Sequence, residues 1–216
     1  MSRRMSHDRV RSEIFAEFND EDWSSYRQLV GWLREIGAAD GALKVGEQAP
    51  DFLLPDADGN LVSSVRLREK GPVVLSFYQG GWCPFCTAEL RALQEAKSEF
   101  EAAGANLAVV SPDTRHFPRQ LRKEYGFDLT ILGDVDYGVA MAYGVLFAVP
   151  EGLLQHYARR GVDIGGRHGS PVTMLPIPAT YVIDRRGTII SAFVEPDYAL
   201  RQDPEEILNA LKEAVR

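Results

Sequence analysis

The sequence predicts an α/β fold: a central mixed β-sheet flanked by helices, behind a helical extension at the N-terminus. Three observations carry that prediction. Pro72-Val73-Val74-Leu75-Ser76-Phe77-Tyr78 is short, apolar and β-branched, as a buried strand is, and it leads into a helical pattern with Leu90, Leu93, Lys97 and Phe100. Asn106-Leu107-Ala108-Val109-Val110-Ser111 is a second buried strand, and strand–helix–strand closes as a right-handed parallel unit by default. Ala179–Asp184 and Thr188–Val194 flank Arg185-Arg186-Gly187 and read as a β-hairpin.

The remaining elements follow in chain order. Residues 1–44 form the extension. Val10, Ile14 and Phe18 recur every fourth residue, and Tyr26, Leu29, Val30, Leu33 and Ile36 make a second amphipathic set that Asp22 or Ser24 can cap. These helices are expected to pack on the domain or on a second subunit, and they carry no evident chemistry. Gly37 to Gly41 breaks the pattern and sets the boundary of a domain over 45–216. Ala49–Leu54 is extended, Asp56–Asn60 is a turn, and Leu61–Ser63 returns as a hairpin partner. Ser64 to Lys70 is about one helical turn. Gly104 stops the helix that carries Leu90. Thr114 can cap a helix with Leu121 and Tyr125, closed by Gly126; Leu129–Leu132 is a brief strand, and Asp134 to Tyr143 a short helix. Residues 144–176 read as an insertion: a helix over Pro150–Arg160, then a glycine-rich loop from Gly161 to Pro176 that holds His168. The last helix has Asp203 as cap, Pro204 first, Glu206 third, and Ile207, Leu208, Leu211 and Val215 on one face.

Bulk properties narrow the function. A chain of 216 residues holds one domain with a proper core plus extensions. A net charge of −7 with no basic run argues against nucleic acid. No apolar stretch approaches membrane-spanning length, so no membrane partner is expected. The start, Met1-Ser2-Arg3-Arg4-Met5-Ser6-His7-Asp8, lacks an apolar signal core, which points to the cytoplasm. In a reducing compartment a Cys-x-x-Cys pair is more plausibly catalytic than a structural staple.

The chemistry centres on Trp82-Cys83-Pro84-Phe85-Cys86, which holds both cysteines of the chain. The pair falls in the first turn of a helix, where free N–H groups and the helix dipole favour a thiolate. Pro84 suits the first helical position because it has no N–H to leave unpaired. Residues three apart on a helical turn face each other, so a disulfide can close with little backbone motion. One sulfur then serves as nucleophile and the other resolves a mixed disulfide or a sulfenic acid. Gly80 and Gly81 permit the tight turn into the helix. Two inert core cysteines are the bland alternative. A zinc site needs about four ligands, and His7, His116, His156 and His168 are too scattered to complete one. No metal and no cofactor are therefore expected.

The element order around the cysteine helix resembles a thioredoxin-like fold. The chain from Val45 to the last helix resembles the peroxiredoxin-like proteins of the alkyl hydroperoxide reductase C / thiol-specific antioxidant family. The resemblance rests on Val45-Gly46-Glu47-Gln48-Ala49-Pro50-Asp51-Phe52, Pro72 to Phe77, Ser111-Pro112-Asp113, Leu132-Gly133-Asp134, Tyr143-Gly144-Val145 and Pro178–Asp184. It implies a thiol peroxidase. Two departures stand out. The family's threonine, three residues before the peroxidatic cysteine, is replaced by Cys83, which matches the peroxidatic position to Cys86. The family's arginine before its late strand is replaced by Pro178, and Ile177-Pro178 instead resembles the cis-proline loop of thioredoxins.

The helix-end argument favours Cys83 as the attacking sulfur, as the more exposed of the two, and outweighs the family match, which favours Cys86. Arg201 resembles a second arginine of some peroxiredoxins, one placed to hold negative charge near the site in place of the lost arginine; the bland reading is a surface salt bridge. Trp82 is expected to shield one sulfur and pack beside the pair. Glu89 reads as a solvated helix residue and His168 as a surface histidine. Three functions are in view. The first is a peroxidase reducing hydrogen peroxide or alkyl hydroperoxides through a Cys83/Cys86 cycle, reset by a thioredoxin-like or low-molecular-weight thiol. The second is a thiol–disulfide oxidoreductase acting on a disulfide substrate. The third is a non-catalytic redox sensor. The apolar faces of the first two helices permit a homodimer.

Overall fold

The computed structural model describes residues 7–114, 116–170 and 172–214. Val215 and the first six residues of the chain lie outside them. In chain order the elements are α1 (His7–Ala16), α2 (Asp20–Glu35), β1 (Leu53–Pro55), β2 (Leu61–Ser63), α3 (Ser64–Lys70), β3 (Val73–Phe77), α4 (Pro84–Ala102), β4 (Asn106–Ser111), α5 (Phe117–Tyr125), β5 (Thr130–Gly133), α6 (Gly138–Ala142), β6 (Leu146–Ala148), α7 (Glu151–Arg159), α8 (Ile164–His168), β7 (Met174–Pro176), β8 (Ala179–Ile183), β9 (Ile189–Val194) and α9 (Pro204–Ala214).

The central sheet has the order β5-β4-β3-β8-β9. β3 pairs parallel with β4 and β4 parallel with β5, whereas β3 with β8 and β8 with β9 are antiparallel. The sheet is thus mixed, and β3 lies at its centre, buried on both faces, with Ser76 the one polar residue in its apolar run. Alternation sorts its side chains. Val73, Leu75 and Phe77 join the core with Leu29 and Leu33 of α2, Tyr143 and Leu175. Val74 and Tyr78 join the opposite core, with Leu90, Leu93 and Phe100 of α4 and Ile207 and Leu211 of α9. β1–β2 and β6–β7 are small antiparallel hairpins outside the main sheet.

The helical extension packs on the chain's own domain. α1 lies against α4, and α2 against α7. Phe15, Phe18, Trp23 and Tyr26 interleave edge-on and stacked, with Phe15 5.3 Å from Phe85 between ring centres. Leu29, Val30 and Leu33 of the apolar face that permits a dimer are turned inward, whereas Ile36 stays 51% exposed.

Several local expectations change. α2 is capped by Asn19 rather than Asp22 or Ser24. Asn19 is extended, its side chain accepts from Asp22 N–H, and the Asp22 carboxylate accepts the Asn19 N–H in return. The short helix over 134–143 shrinks to α6, because the Asp134 carboxylate accepts the N–H groups of Val139 and Ala140 at 3.1 and 2.8 Å and holds Asp134–Tyr137 as a turn. α5 starts after His116 rather than Thr114, whose hydroxyl donates instead to the Arg167 carbonyl at 2.8 Å. The stretch from Gly161 to Pro176 is not all loop: it contains α8, capped by Asp163, and β7. Among the described residues no helix is long and apolar enough to cross a membrane.

Candidate active site

β3 delivers the chain to α4 through Gln79–Cys83, and that turn is tightly held. Gly80 has φ +152°, and a Cβ there would meet the Trp82 indole Nε1 at 2.4 Å, so only glycine fits. Gly81 N–H donates to Asp113 Oδ2 at 3.0 Å. Asp113, just past β4, is itself gripped by Arg167 of α8 through two bonds of 2.8 and 2.7 Å. The segment between β6 and β7 thus fixes the entry to the cysteine helix, a role nothing in its composition announces.

Cys83 is the N-cap of α4 and Cys86 lies in its first turn, both as free thiols. The expected exposure of Cys83 is not met: it is 2% exposed and Cys86 is fully buried. They share one core cluster with Phe85, and Tyr198, Phe15, Phe18 and Tyr26 pack against that cluster. The Cys83 side chain makes no capping bond. Burial, together with a hydrogen bond to Cys86, pushes its thiol well above the ordinary value.

Cys86 differs. Burial works against its thiolate, but the hydrogen bond from Cys83, the Arg201 charge and the Gln79 backbone N–H outweigh it and bring the thiol down to about 7. Arg201 Nη2 stands 3.4 Å from Cys86 Sγ. The stabilising contacts therefore converge on Cys86, three residues inside the position that the helix-end argument favours.

Arg201 is not part of a surface salt bridge, and Glu89 is not a solvated residue. Arg201 Nε donates to Glu89 Oε2 at 2.6 Å, with 3% and 2% of the two side chains exposed. Glu89 Oε1 accepts from Ser76 at 3.3 Å and Thr180 at 3.4 Å, which ties the pair to β3 and β8. Arg201 also donates to the carbonyls of Tyr198 and Leu200. Burial alone would weaken its charge, but Glu89 and the two sulfurs hold it protonated.

The other expected residues fall as follows. Trp82 is half-buried, packs edge-on against Tyr157 of α7 with 4.9 Å between ring centres, and lines a cavity with Cys83. Pro178 is buried ahead of β8, where Ala179 pairs with Phe77. Its peptide bond is not cis, since no cis bond occurs among the described residues, so the cis-proline likeness fails. His168 is not a surface residue: it is 3% exposed, its Nδ1 lies 3.1 Å from the Tyr137 hydroxyl, and burial lowers its pKa to about 4.

A cavity of ≈ 340 Å³ ends on Cys83, walled by Gln79, Trp82, Phe85, Tyr157 and Tyr198. A second, of ≈ 400 Å³ between α2 and α7, shares Ser25, Leu153 and His156 with it. The sequence reading missed Gln79 and Tyr157, which carry no motif and meet the cysteines only through folding. Among the described residues no group of three or more His, Cys, Asp or Glu could hold a metal ion.

Residues 45–192 match the family model described as AhpC/TSA family. A putative peroxiredoxin of Mycobacterium tuberculosis strain H37Rv is 31% identical over 150 residues, 69% of this chain and 84% of that protein. The chloroplastic peroxiredoxin Q of Oryza sativa subsp. japonica is 29% identical over 149 residues, 69% of this chain and 58% of its own length. In fold, the chain is similar to the crystal structure of peroxidoxin BcpB from Mycobacterium tuberculosis, with TM-score 0.63 and 24% identity, covering 81% of this chain and 99% of that one.

Proposed function

The chain belongs to the AhpC/TSA family of thiol peroxidases, and within that activity we propose that Cys86 is the attacking sulfur and Cys83 the resolving one. The observation that carries the assignment is the Arg201 guanidinium 3.4 Å from Cys86 Sγ, beside a thiol lowered to about 7. The Cys86 thiolate attacks one oxygen of the peroxide. The O–O bond breaks, Cys86 becomes a sulfenic acid, and the leaving alkoxide or hydroxide takes a proton. Arg201 is placed to offset negative charge on the thiolate and on the departing oxygen. The Cys83 sulfur then attacks the sulfenic sulfur, water leaves, and the Cys83–Cys86 disulfide forms. A thiol reductant returns both sulfurs to the reduced form.

The family implies a peroxide as substrate and a thioredoxin-type reductant. A reducing compartment such as the cytoplasm would keep the two cysteines as thiols, the state in which the site is built. Trp82, which lines the cavity with Cys83, acts as packing rather than as a reacting group, and Pro178 as a buried residue leading into β8. Disulfide exchange remains the second reading, favoured by the sulfur that the cavity reaches, Cys83.

Stopped-flow tryptophan fluorescence of the reduced protein with hydrogen peroxide tests the assignment. A rapid phase is expected in the wild type. Cys83→Ser should keep it and accumulate a trappable sulfenic acid, and Cys86→Ser should lose it by at least two orders of magnitude. The rate should climb as pH rises through about 7 and then level, because the thiolate fraction saturates there. A wild-type rate no better than that of a free thiol would leave disulfide exchange.

A further inference from the structure

One wall of the site presents side chains that have no part in the peroxide step. Gln79 is 1% exposed, lines the ≈ 340 Å³ cavity, and has no partner for either Nε2 or Oε1. Trp82 Nε1 is another buried donor in that wall without a partner. Buried polar atoms are almost always satisfied, so a carboxamide left open beside a cavity is completed by what enters it. A carboxamide offers one donor edge and one acceptor edge, the complement of another amide. The adjoining ≈ 400 Å³ cavity extends the space between α2 and α7. Each volume lies in the range that small molecules of roughly 300–1,000 Å³ sites occupy. The outer rim carries both signs of charge, with Arg160 on Asp22 and Arg159 on Glu21.

We propose that this cavity binds the electron donor, and that the donor is a low-molecular-weight thiol bearing an amide, such as a short cysteinyl peptide. The proposal rests on the peroxidase reading above. Its geometry is set by which sulfur is reached: the cavity is lined by Cys83 and not by Cys86. The donor thiolate attacks Cys83 Sγ, the Cys83–Cys86 bond breaks, and Cys86 departs as the thiolate that Arg201 stabilises, the better leaving group of the two. A second donor thiolate attacks the donor sulfur of the mixed disulfide. The donor disulfide is released, Cys83 takes up a proton, and two thiols have supplied two electrons. With Cys83 only 2% exposed behind α2 and α7, a folded dithiol protein has no direct approach to it.

The test separates the two halves of the cycle in one instrument. Protein oxidised with one equivalent of peroxide is mixed with glutathione, with dithiothreitol, or with a bacterial thioredoxin kept reduced by its reductase. The expected result is a reduction rate that saturates with glutathione. Gln79→Leu, which keeps the backbone N–H at Cys86, should lower the glutathione rate at least tenfold more than the dithiothreitol rate. Leu153→Trp, which fills the space shared by the two cavities, should do the same. The proposal is overturned by a glutathione rate that stays linear and is no more sensitive to these substitutions than the dithiothreitol rate. It is also overturned if thioredoxin reduces the wild type more than tenfold faster than glutathione. Fast oxidation by peroxide alongside either result sinks only the donor site, whereas slow oxidation sinks the peroxidase reading itself.

Discussion

Three groups converge on the sulfur of Cys86: the Cys83 thiol, the Gln79 backbone N–H and the Arg201 guanidinium. The arginine is held by Glu89 in an environment almost closed to water, and such a pair is fragile in a particular way. Removing one partner leaves an uncompensated buried charge, which costs about 3–5 kcal/mol. Arg201→Met is therefore expected to destabilise by that amount in urea denaturation and to move the Cys86 alkylation midpoint upward from about 7. Arg201→Met with Glu89→Leu should recover much of the stability, because no charge is then stranded. A midpoint unmoved in Arg201→Met would show that the arginine does not set the thiol. Arg201 was legible in the sequence only as a resemblance. Its partner Glu89 was not, because a glutamate one turn along a helix looks the same whether that face meets water or a sheet.

Among the elements, α2 shows where periodicity succeeds and where it stops. Leu29 and Leu33 fall on the buried face as their spacing predicts. The cap is neither Asp22 nor Ser24, the two that the sequence offered, because several side chains in this stretch can accept an N–H and the extended backbone at Asn19 decides it. Asn19→Ala is expected to cost about 1 kcal/mol, and Leu33→Ala about 2–5 kcal/mol, since Leu33 sits in the same core as β3. Chemical denaturation of both variants measures this. A neutral Leu33→Ala would mean that α2 rests loosely on the domain. We propose residues 1–44 as an extension of one cooperative unit, so both variants should unfold in a single transition. α8 escaped the sequence reading because its Gly165-Gly166 core has almost no helical signal; Asp163 as cap and the Arg167–Asp113 pair hold it.

At the scale of the molecule, the two faces of the sheet are sealed by different parts of the chain, and His168 lies in the segment between β6 and β7. Its folded pKa is about 4, below the ordinary 6.5, because burial resists the charge. On acidification the unfolded chain takes up this proton first, so stability falls as pH drops from 6.5 towards 4. The limit from this group is about 3 kcal/mol, at 1.36 kcal/mol per unit. Thermal unfolding against pH should show that slope, and His168→Gln should flatten it; an unchanged slope would assign the acid sensitivity elsewhere. What the sequence determined by itself was local and patterned: the buried strands, the cysteine helix, the β1–β2 and β8–β9 hairpins, the Asp203 cap of α9 and the family. These follow from short-range periodicity, turn residues and a motif that stay together in the chain. Only the tertiary structure decided the electrostatics. Cys86 and Arg201 are 115 positions apart, Gln79 meets Tyr157 across a cavity, and Asp113 after β4 meets Arg167 of α8. A thiol's pKa depends on which charges and dipoles lie within a few ångströms and on how much water is excluded. Those are properties of packing, which no window along the chain contains.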